Sequence, residues 1–183
     1  GKKLVSVSIM PCTAKKEEIL RPESMTNGRQ DVDYVLTTTE VASMIRKSGI
    51  RFENIDGEST DMPFGIGSGG GVIFGVTGGV LEAALRTVYY LLNHQNLDGD
   101  AINFRAVRGL AGVKEASITL SDDLTVRVAV ASGLGNARKV LDMVRKNPNR
   151  FHAIEIMACP GGCINGGGQP YLHGHYELLS LIH

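Results

Sequence analysis

Charge of one sign is what this sequence most plainly lacks: 19 Lys and Arg balance 19 Asp and Glu over 183 residues, for a formal net charge of zero. Without a basic excess there is no electrostatic footprint for nucleic acid and no attraction to an anionic membrane surface. Long apolar runs are missing as well. None approaches the roughly 20 residues that cross a bilayer. The opening Gly1-Lys-Lys-Leu-Val-Ser-Val-Ser-Ile-Met leads into a strand pattern in place of a signal-peptide core. Cysteine is scarce, at three residues. Three thiols with no pairing logic exclude a disulfide scaffold and fit a reducing compartment, by default the cytoplasm, where thiols serve metals or chemistry.

What is abundant is glycine, 23 residues against the usual share of about 7%. The excess is concentrated around 57–79 and 161–168, so it marks particular loops. At 43% apolar and 21% charged the composition is that of an ordinary globular α/β chain, long enough for one domain or a substantial part of a larger one.

Leu4 to Ile9 reads as a strand ended by Pro11, which places Cys12 just past a strand's carboxyl end, where open α/β sheets place ligands. A charged turn, Thr13 to Glu18, follows, with Lys16 and Glu17 read as a solvated face. Val32 to Thr37 is a strand, Thr38 or Thr39 an N-cap, and Val41, Met44 and Ile45 the buried stripe of a helix stopped by Gly49. From Gly57 to Gly71 no packed element is expected before Val72. Gly65, Gly67 and Gly70 match the letters of a dinucleotide fingerprint but lack its entering strand and distal acid. Val80, Leu81, Ala84, Leu85, Val88, Leu91 and Leu92 form a broad apolar face on a helix from Gly79 to Leu92. Two strands around Ser121-Asp122-Asp123 predict an antiparallel hairpin whose second member, with Leu124, Val126, Val128 and Val130 on one face, suits a half-exposed or edge position. A helix from Gly133 to Lys146 burying Val140, Leu141 and Val144, then a strand from His152 to Met157, complete a β-α-β unit that delivers Cys159 to a carboxyl end.

The stretch Ile156-Met-Ala-Cys-Pro-Gly-Gly-Cys-Ile-Asn-Gly-Gly-Gly-Gln-Pro170 organises the rest. Thiolates select zinc, copper(I) or iron–sulfur clusters. A zinc site could recruit His173 or His175, but the spacing is unusual and a compact ion needs no flanking glycines. A cubane is wider, and the Pro-Gly-Gly and triple-glycine segments could offer N–H donors to its sulfides.

Met10-Pro-Cys-Thr-Ala-Lys-Lys-Glu-Glu and Glu155-Ile-Met-Ala-Cys-Pro-Gly-Gly-Cys-Ile-Asn-Gly-Gly-Gly-Gln-Pro resemble the second and third signature motifs of the [FeFe]-hydrogenase catalytic domain. Gly71-Val-Ile-Phe-Gly-Val-Thr-Gly-Gly-Val-Leu-Glu-Ala-Ala-Leu-Arg resembles that family's intervening segment. The resemblance implies a mixed, largely parallel sheet flanked by helices over residues 1–183, chiefly the second lobe of a two-lobed fold, with no second complete domain. It also implies an H-cluster, a [4Fe–4S] cubane joined to a [2Fe] subcluster. Cys12, Cys159 and Cys163 would ligate the cubane, with Cys163 bridging to the two-iron unit. Lys15 would donate to an iron-bound cyanide and Glu18 would hold that lysine; Met10, Pro11, Phe74, Gly75 and Met157 would surround the two-iron unit, and Gln169 and Pro170 would shape the loop. The reaction implied is reversible reduction of protons to dihydrogen.

The family's first motif, Thr-Ser-Cys-Cys-Pro, is absent from this stretch, as is a ferredoxin-like cysteine set. The implied partners are therefore an upstream half of the domain and ferredoxin or another electron carrier. Two rival readings keep the resemblance: a cytosolic iron–sulfur assembly protein without the two-iron unit, and a hydrogen-sensing module.

Overall fold

The computed structural model describes residues 4–62, 65, 67–102, 105–106 and 111–171, so His173 and His175 lie outside the described residues. The fold is mixed α/β and divides into two compact units: residues 1–66 with 165–183, and residues 67–164.

In the first unit a two-stranded parallel sheet joins β1 (Val7–Met10) to a strand at Tyr34–Thr37, in register from Val7 opposite Tyr34 to Met10 opposite Thr37. Between them lie a one-turn helix α1 (Lys15–Glu18) and a short antiparallel ribbon of β2 (Met25–Thr26) and β3 (Arg29–Gln30), so the Tyr34–Thr37 strand is β4. Helix α2 (Thr38–Lys47) leaves β4 directly. Its N-cap is Thr37 and not the expected Thr38 or Thr39, because Thr37 completes a capping box: Glu40 N–H donates to Thr37 Oγ1 at 3.3 Å and Thr37 N–H donates to Glu40 Oε2 at 2.8 Å. Gly49, with φ +70°, stops the helix as expected. Met44 is exposed, contrary to the expected buried stripe, while Val41 and Ile45 are half-buried.

The second unit begins with α3 (Gly69–Ile73), which starts earlier than expected because Ser68 Oγ accepts the Gly71 N–H and caps it. Helix α4 (Gly79–Asn93) is next, then a four-stranded sheet in the order β5 (Arg105–Ala106), β6 (Val113–Ser121), β7 (Leu124–Ser132), β8 (Ala153–Met157). The β6–β7 hairpin is antiparallel as expected, and helix α5 (Leu134–Lys146) makes the crossover to a parallel β8.

The position of β7 differs from the expectation. It is interior, and residues 128–131 are all buried. Val128 and Val130 meet Leu81 and Leu85 of α4 together with Ala116, Ile118 and Leu120. Ala129 and Ala131 lie on the opposite face with Val113 and Val140 of α5. Alanines stand where an edge strand would show polar residues, and their small side chains let α5 approach closely. On α4 the buried set is narrower than expected: Leu81, Ala83 and Leu85 are buried, while Val80, Ala84, Val88, Leu91 and Leu92 are exposed. Leu141 of α5 is likewise exposed and Val144 half-buried, leaving Ala137 and Val140 as the anchors. Each buried valine contributes about 1.5–3 kcal/mol of transfer free energy, enough for this core to hold β8 and the turn at its carboxyl end.

Candidate metal centre

Each of the two cysteine-bearing turns begins past a strand whose last residue is a methionine, Met10 of β1 and Met157 of β8. None of the three cysteines is in a disulfide, and all are half-buried.

In the first unit Cys12 lies two residues beyond β1. The Pro11 carbonyl accepts the Gly168 N–H at 2.9 Å, and the Gly168 carbonyl accepts the Thr39 N–H at 3.0 Å, so Gly168 crosses the carboxyl ends of β1 and β4. A Cβ at Gly168 would lie 2.8 Å from Thr37 Cβ and 3.0 Å from the Pro11 carbonyl, a closeness that only glycine permits. Gln169 N–H closes a turn on the Gly166 carbonyl at 3.0 Å. Lys15 Nζ donates to Glu18 Oε1 at 2.6 Å, the pairing expected for these two residues, with both side chains less than half exposed. Met10, Lys15 and Glu18 line an open groove of about 330 Å³ with Ser8, Ile19 and Val35.

Lys16 is more than a solvated charge. Its ammonium donates to the Val35 carbonyl at 3.0 Å and pairs with Glu40 at 2.9 Å, joining α1 to β4 and α2. The Thr37 N–H, then the Lys16 ammonium, then the Thr37 hydroxyl hold the Glu40 carboxyl down to about 2, from an ordinary 4.5.

In the second unit Cys159 and Cys163 flank a turn in which Gly162 N–H donates to the Cys159 carbonyl at 3.1 Å, with φ +82° at Gly161 and +116° at Gly162. The turn docks on residues 74–77 by two backbone bonds, Thr77 N–H to the Gly161 carbonyl at 3.1 Å and Ile164 N–H to the Gly75 carbonyl at 3.0 Å. A Cβ on Gly162 would run into the Gly75 carbonyl and lie 2.7 Å from Thr77 N; one on Gly75 would lie 2.7 Å from Ile164 Cγ2. Gly75 therefore serves the packing of these two loops. Phe74 is exposed, whereas Met157 is buried within the unit. The strand end is fixed by Gly133 N–H to the Met157 carbonyl at 2.7 Å.

The expectation that Pro-Gly-Gly offers N–H donors to sulfides needs correction. Gly161 N–H donates to Ser132 Oγ at 3.0 Å and Gly162 N–H to Cys159, so both are already engaged. Gly162 is required by the close approach of backbone to backbone, and Gly161 by its left-handed φ of +82°. Sequence reading also passed over Glu155, whose carboxylate accepts the Gly78 and Leu81 N–H groups; its signal was a lone acid between Ile154 and Ile156 in a strand.

Within either unit, among the described residues, no group of three or more His, Cys, Asp or Glu side chains is gathered around one point to hold a metal ion. The donor chemistry nevertheless fits a cluster better than a single hard ion. The thiolates are soft, none is consumed by a disulfide, and Cys159 and Cys163 are borne on a turn that a side chain at Gly162 would not allow.

The family described as "Iron only hydrogenase large subunit, C-terminal domain" matches residues 1–167. The NADP-reducing hydrogenase subunit HndD of Solidesulfovibrio fructosivorans is 52% identical over 177 residues, covering 97% of this chain and 30% of that protein. The periplasmic [Fe] hydrogenase large subunit of Nitratidesulfovibrio vulgaris is 47% identical, covering 97% of this chain and 42% of the other. An [FeFe]-hydrogenase structure from Chlamydomonas reinhardtii superposes with a TM-score of 0.71 at 38% identity, over 91% of this chain and 49% of its own. A cytosolic Fe-S cluster assembly factor of Xenopus tropicalis is more distant, at 30% identity. The chain thus spans less than half the length of these curated hydrogenases and about half of the solved one.

Proposed function

Because the chain belongs to the C-terminal domain family of iron-only hydrogenase large subunits, we propose that it forms part of an [FeFe]-hydrogenase carrying out reversible reduction of protons to dihydrogen. Cys12, Cys159 and Cys163 would hold a [4Fe–4S] cubane, with Cys163 shared with a [2Fe] subcluster. When bound, this group supplies the redox and metal chemistry of the reaction.

The protein's own residues bind, orient and exclude water. Lys15 carries an ammonium with three donors, suited to an anionic ligand, and its bond to Glu18 at 2.6 Å restricts where that charge sits. Met10, Phe74 and Met157 provide polarizable and apolar surface that keeps water from the group. The remaining cubane ligand and the proton path are assigned to an upstream part of the natural polypeptide. Electrons are exchanged through further iron–sulfur clusters or ferredoxin. Among the described residues no helix is long and apolar enough to cross a membrane. The cytoplasmic setting stays part of this proposal, since one relative is named as periplasmic.

The observation that carries the reading is the pairing of the family match with Cys159 and Cys163 on a glycine-dependent turn. The test is anaerobic iron quantification and infrared spectroscopy of the full natural polypeptide after maturation. Carbonyl and cyanide bands that vanish with Cys163→Ser are expected. Iron without those bands would replace this reading by the assembly-type alternative, and zinc in place of iron would end it.

A further inference from the structure

Strand β8 is apolar apart from one acid. Glu155 is half-buried between Ile154 and Ile156, four residues before Cys159, and its carboxylate reaches across the unit to the start of α4. Oε1 accepts the Gly78 N–H at 2.5 Å and Oε2 accepts the Leu81 N–H at 2.8 Å, from residues 77 and 74 positions away in sequence. A helix start presents N–H groups with no intrahelical acceptor, and a carboxylate there is favoured by both hydrogen bonding and the helix dipole. Here the helix has no side-chain cap of its own, because its N-cap is Gly78 in the left-handed region at φ +96°. The missing cap comes from the strand that carries the cluster turn.

We propose that Glu155 is a positioning residue for the Cys159–Cys163 turn; the inference rests on the hydrogenase reading for what that turn holds, but not for its geometry. By fixing the first turn of α4, Glu155 fixes Phe74 to Thr77 immediately before it. Those residues are the surface on which the cysteine turn docks, through Thr77 N–H to Gly161 and Ile164 N–H to Gly75. One carboxylate therefore closes a ring that runs from β8 to the start of α4, through residues 74–77, and back through the cysteine turn to β8. Ser132 Oγ and the Gly133 N–H brace the turn and the strand end from the α5 side. Glutamate suits the position because both oxygens accept; glutamine would set an amide N–H₂ against one of two N–H donors.

The experiment is amide hydrogen exchange on the full natural polypeptide, unsubstituted and with Glu155→Gln, before any cluster is loaded. Exchange at the Thr77 and Ile164 amides should quicken about tenfold, as loss of one charge-assisted bond predicts for local opening, while the β6–β7 ladder keeps its rates. Glu155→Asp, which keeps the charge but shortens the reach, should give a smaller effect in the same direction and covers the case in which the glutamine variant folds poorly. In the loaded protein the carbonyl and cyanide bands should shift or broaden with Glu155→Gln. Unchanged exchange at Thr77 and Ile164, or a uniform rise across the sheet, overturns the positioning role. Absence of a cluster in the unsubstituted protein would defeat the hydrogenase reading and leave the exchange result standing.

Discussion

The two cysteine-bearing turns share one local grammar, an apolar strand ending in methionine and then a break, yet they are held by different forces. The Cys12 turn grows from a two-stranded sheet and, beside the Gly168 to Pro11 backbone bond, is tethered to α2 by the Lys16–Glu40 ion pair, with Lys15 and Glu18 paired inside α1; these groups are 41–46% exposed. The Cys159–Cys163 turn grows from a four-stranded sheet whose Val128 and Ala129 are fully buried, and it is tethered by backbone bonds and by glycines that leave no room for a Cβ. The first is therefore an electrostatic attachment, responsive to pH and salt. The second is set chiefly by backbone bonds and steric fit, with the half-buried Glu155 carboxylate bracing its docking surface, and it is intolerant of a methyl group at Gly162.

The contrast is broken most forcefully at Gly162. Gly162→Ala adds a Cβ against the Gly75 carbonyl at a backbone φ of +116°, combining overpacking with left-handed strain. A loss of about 3–5 kcal/mol is expected, either globally or as undocking of the turn. Gly135→Ala in α5, where nothing lies within 4 Å of the added atom, should instead be neutral or stabilise by up to about 1 kcal/mol. Denaturant titration of both variants checks this. Equal midpoints would mean that the cysteine turn is not sterically set.

The electrostatic side is sharpened by acid. Because the Glu40 carboxyl is held down to about 2 in the folded protein, below its ordinary 4.5, its contribution to stability is present above about pH 4.5 and is lost as pH falls toward 2. Glu40→Gln keeps an acceptor for the capping box and removes the charge. Its deficit against the unsubstituted protein should be largest near pH 7, shrink between about pH 4.5 and 2, and diminish in high salt. A deficit that is flat with pH would show that neither the Thr37 N–H nor Lys16 favours the charged form of Glu40.

Much of this arrangement was legible in the sequence. The strand before Cys12, the β7–α5–β8 crossover and the motif resemblance all come from short-range pattern: β-branched runs, Pro11 and Gly133 as punctuation, and cysteines at fixed spacing. What could not be read depends on partners distant in sequence. The Lys16 bond needs the Val35 carbonyl, 19 residues on, and Glu155 needs N–H groups 74 and 77 residues back. The interior place of β7 hid behind Ala129 and Ala131, which alternate with valines and look like a weakly apolar outer face until α5 is laid over them. Nor could the partners of the loop glycines be read: Gly162 lies against the Gly75 carbonyl, Gly75 against the Ile164 side chain, and Gly168 against Thr37 and the Pro11 carbonyl.

The smallest expected effect lies on the steric side, at Thr77. Its N–H is used by Gly161, and its side-chain oxygen is buried with no hydrogen-bond partner among the described residues. A hydroxyl desolvated in this way costs free energy that an isosteric apolar side chain does not. Thr77→Val, which keeps the β-branch and the shape, should therefore raise the stability of the cluster-free protein by about 1 kcal/mol, read as a higher thermal midpoint, without altering exchange at Ile164. A lower midpoint would mean that the hydroxyl has an acceptor in solution, such as a bridging water. The surface under Cys159–Cys163 would then carry one further polar contact beside those of Ser132 Oγ and the Glu155 carboxylate.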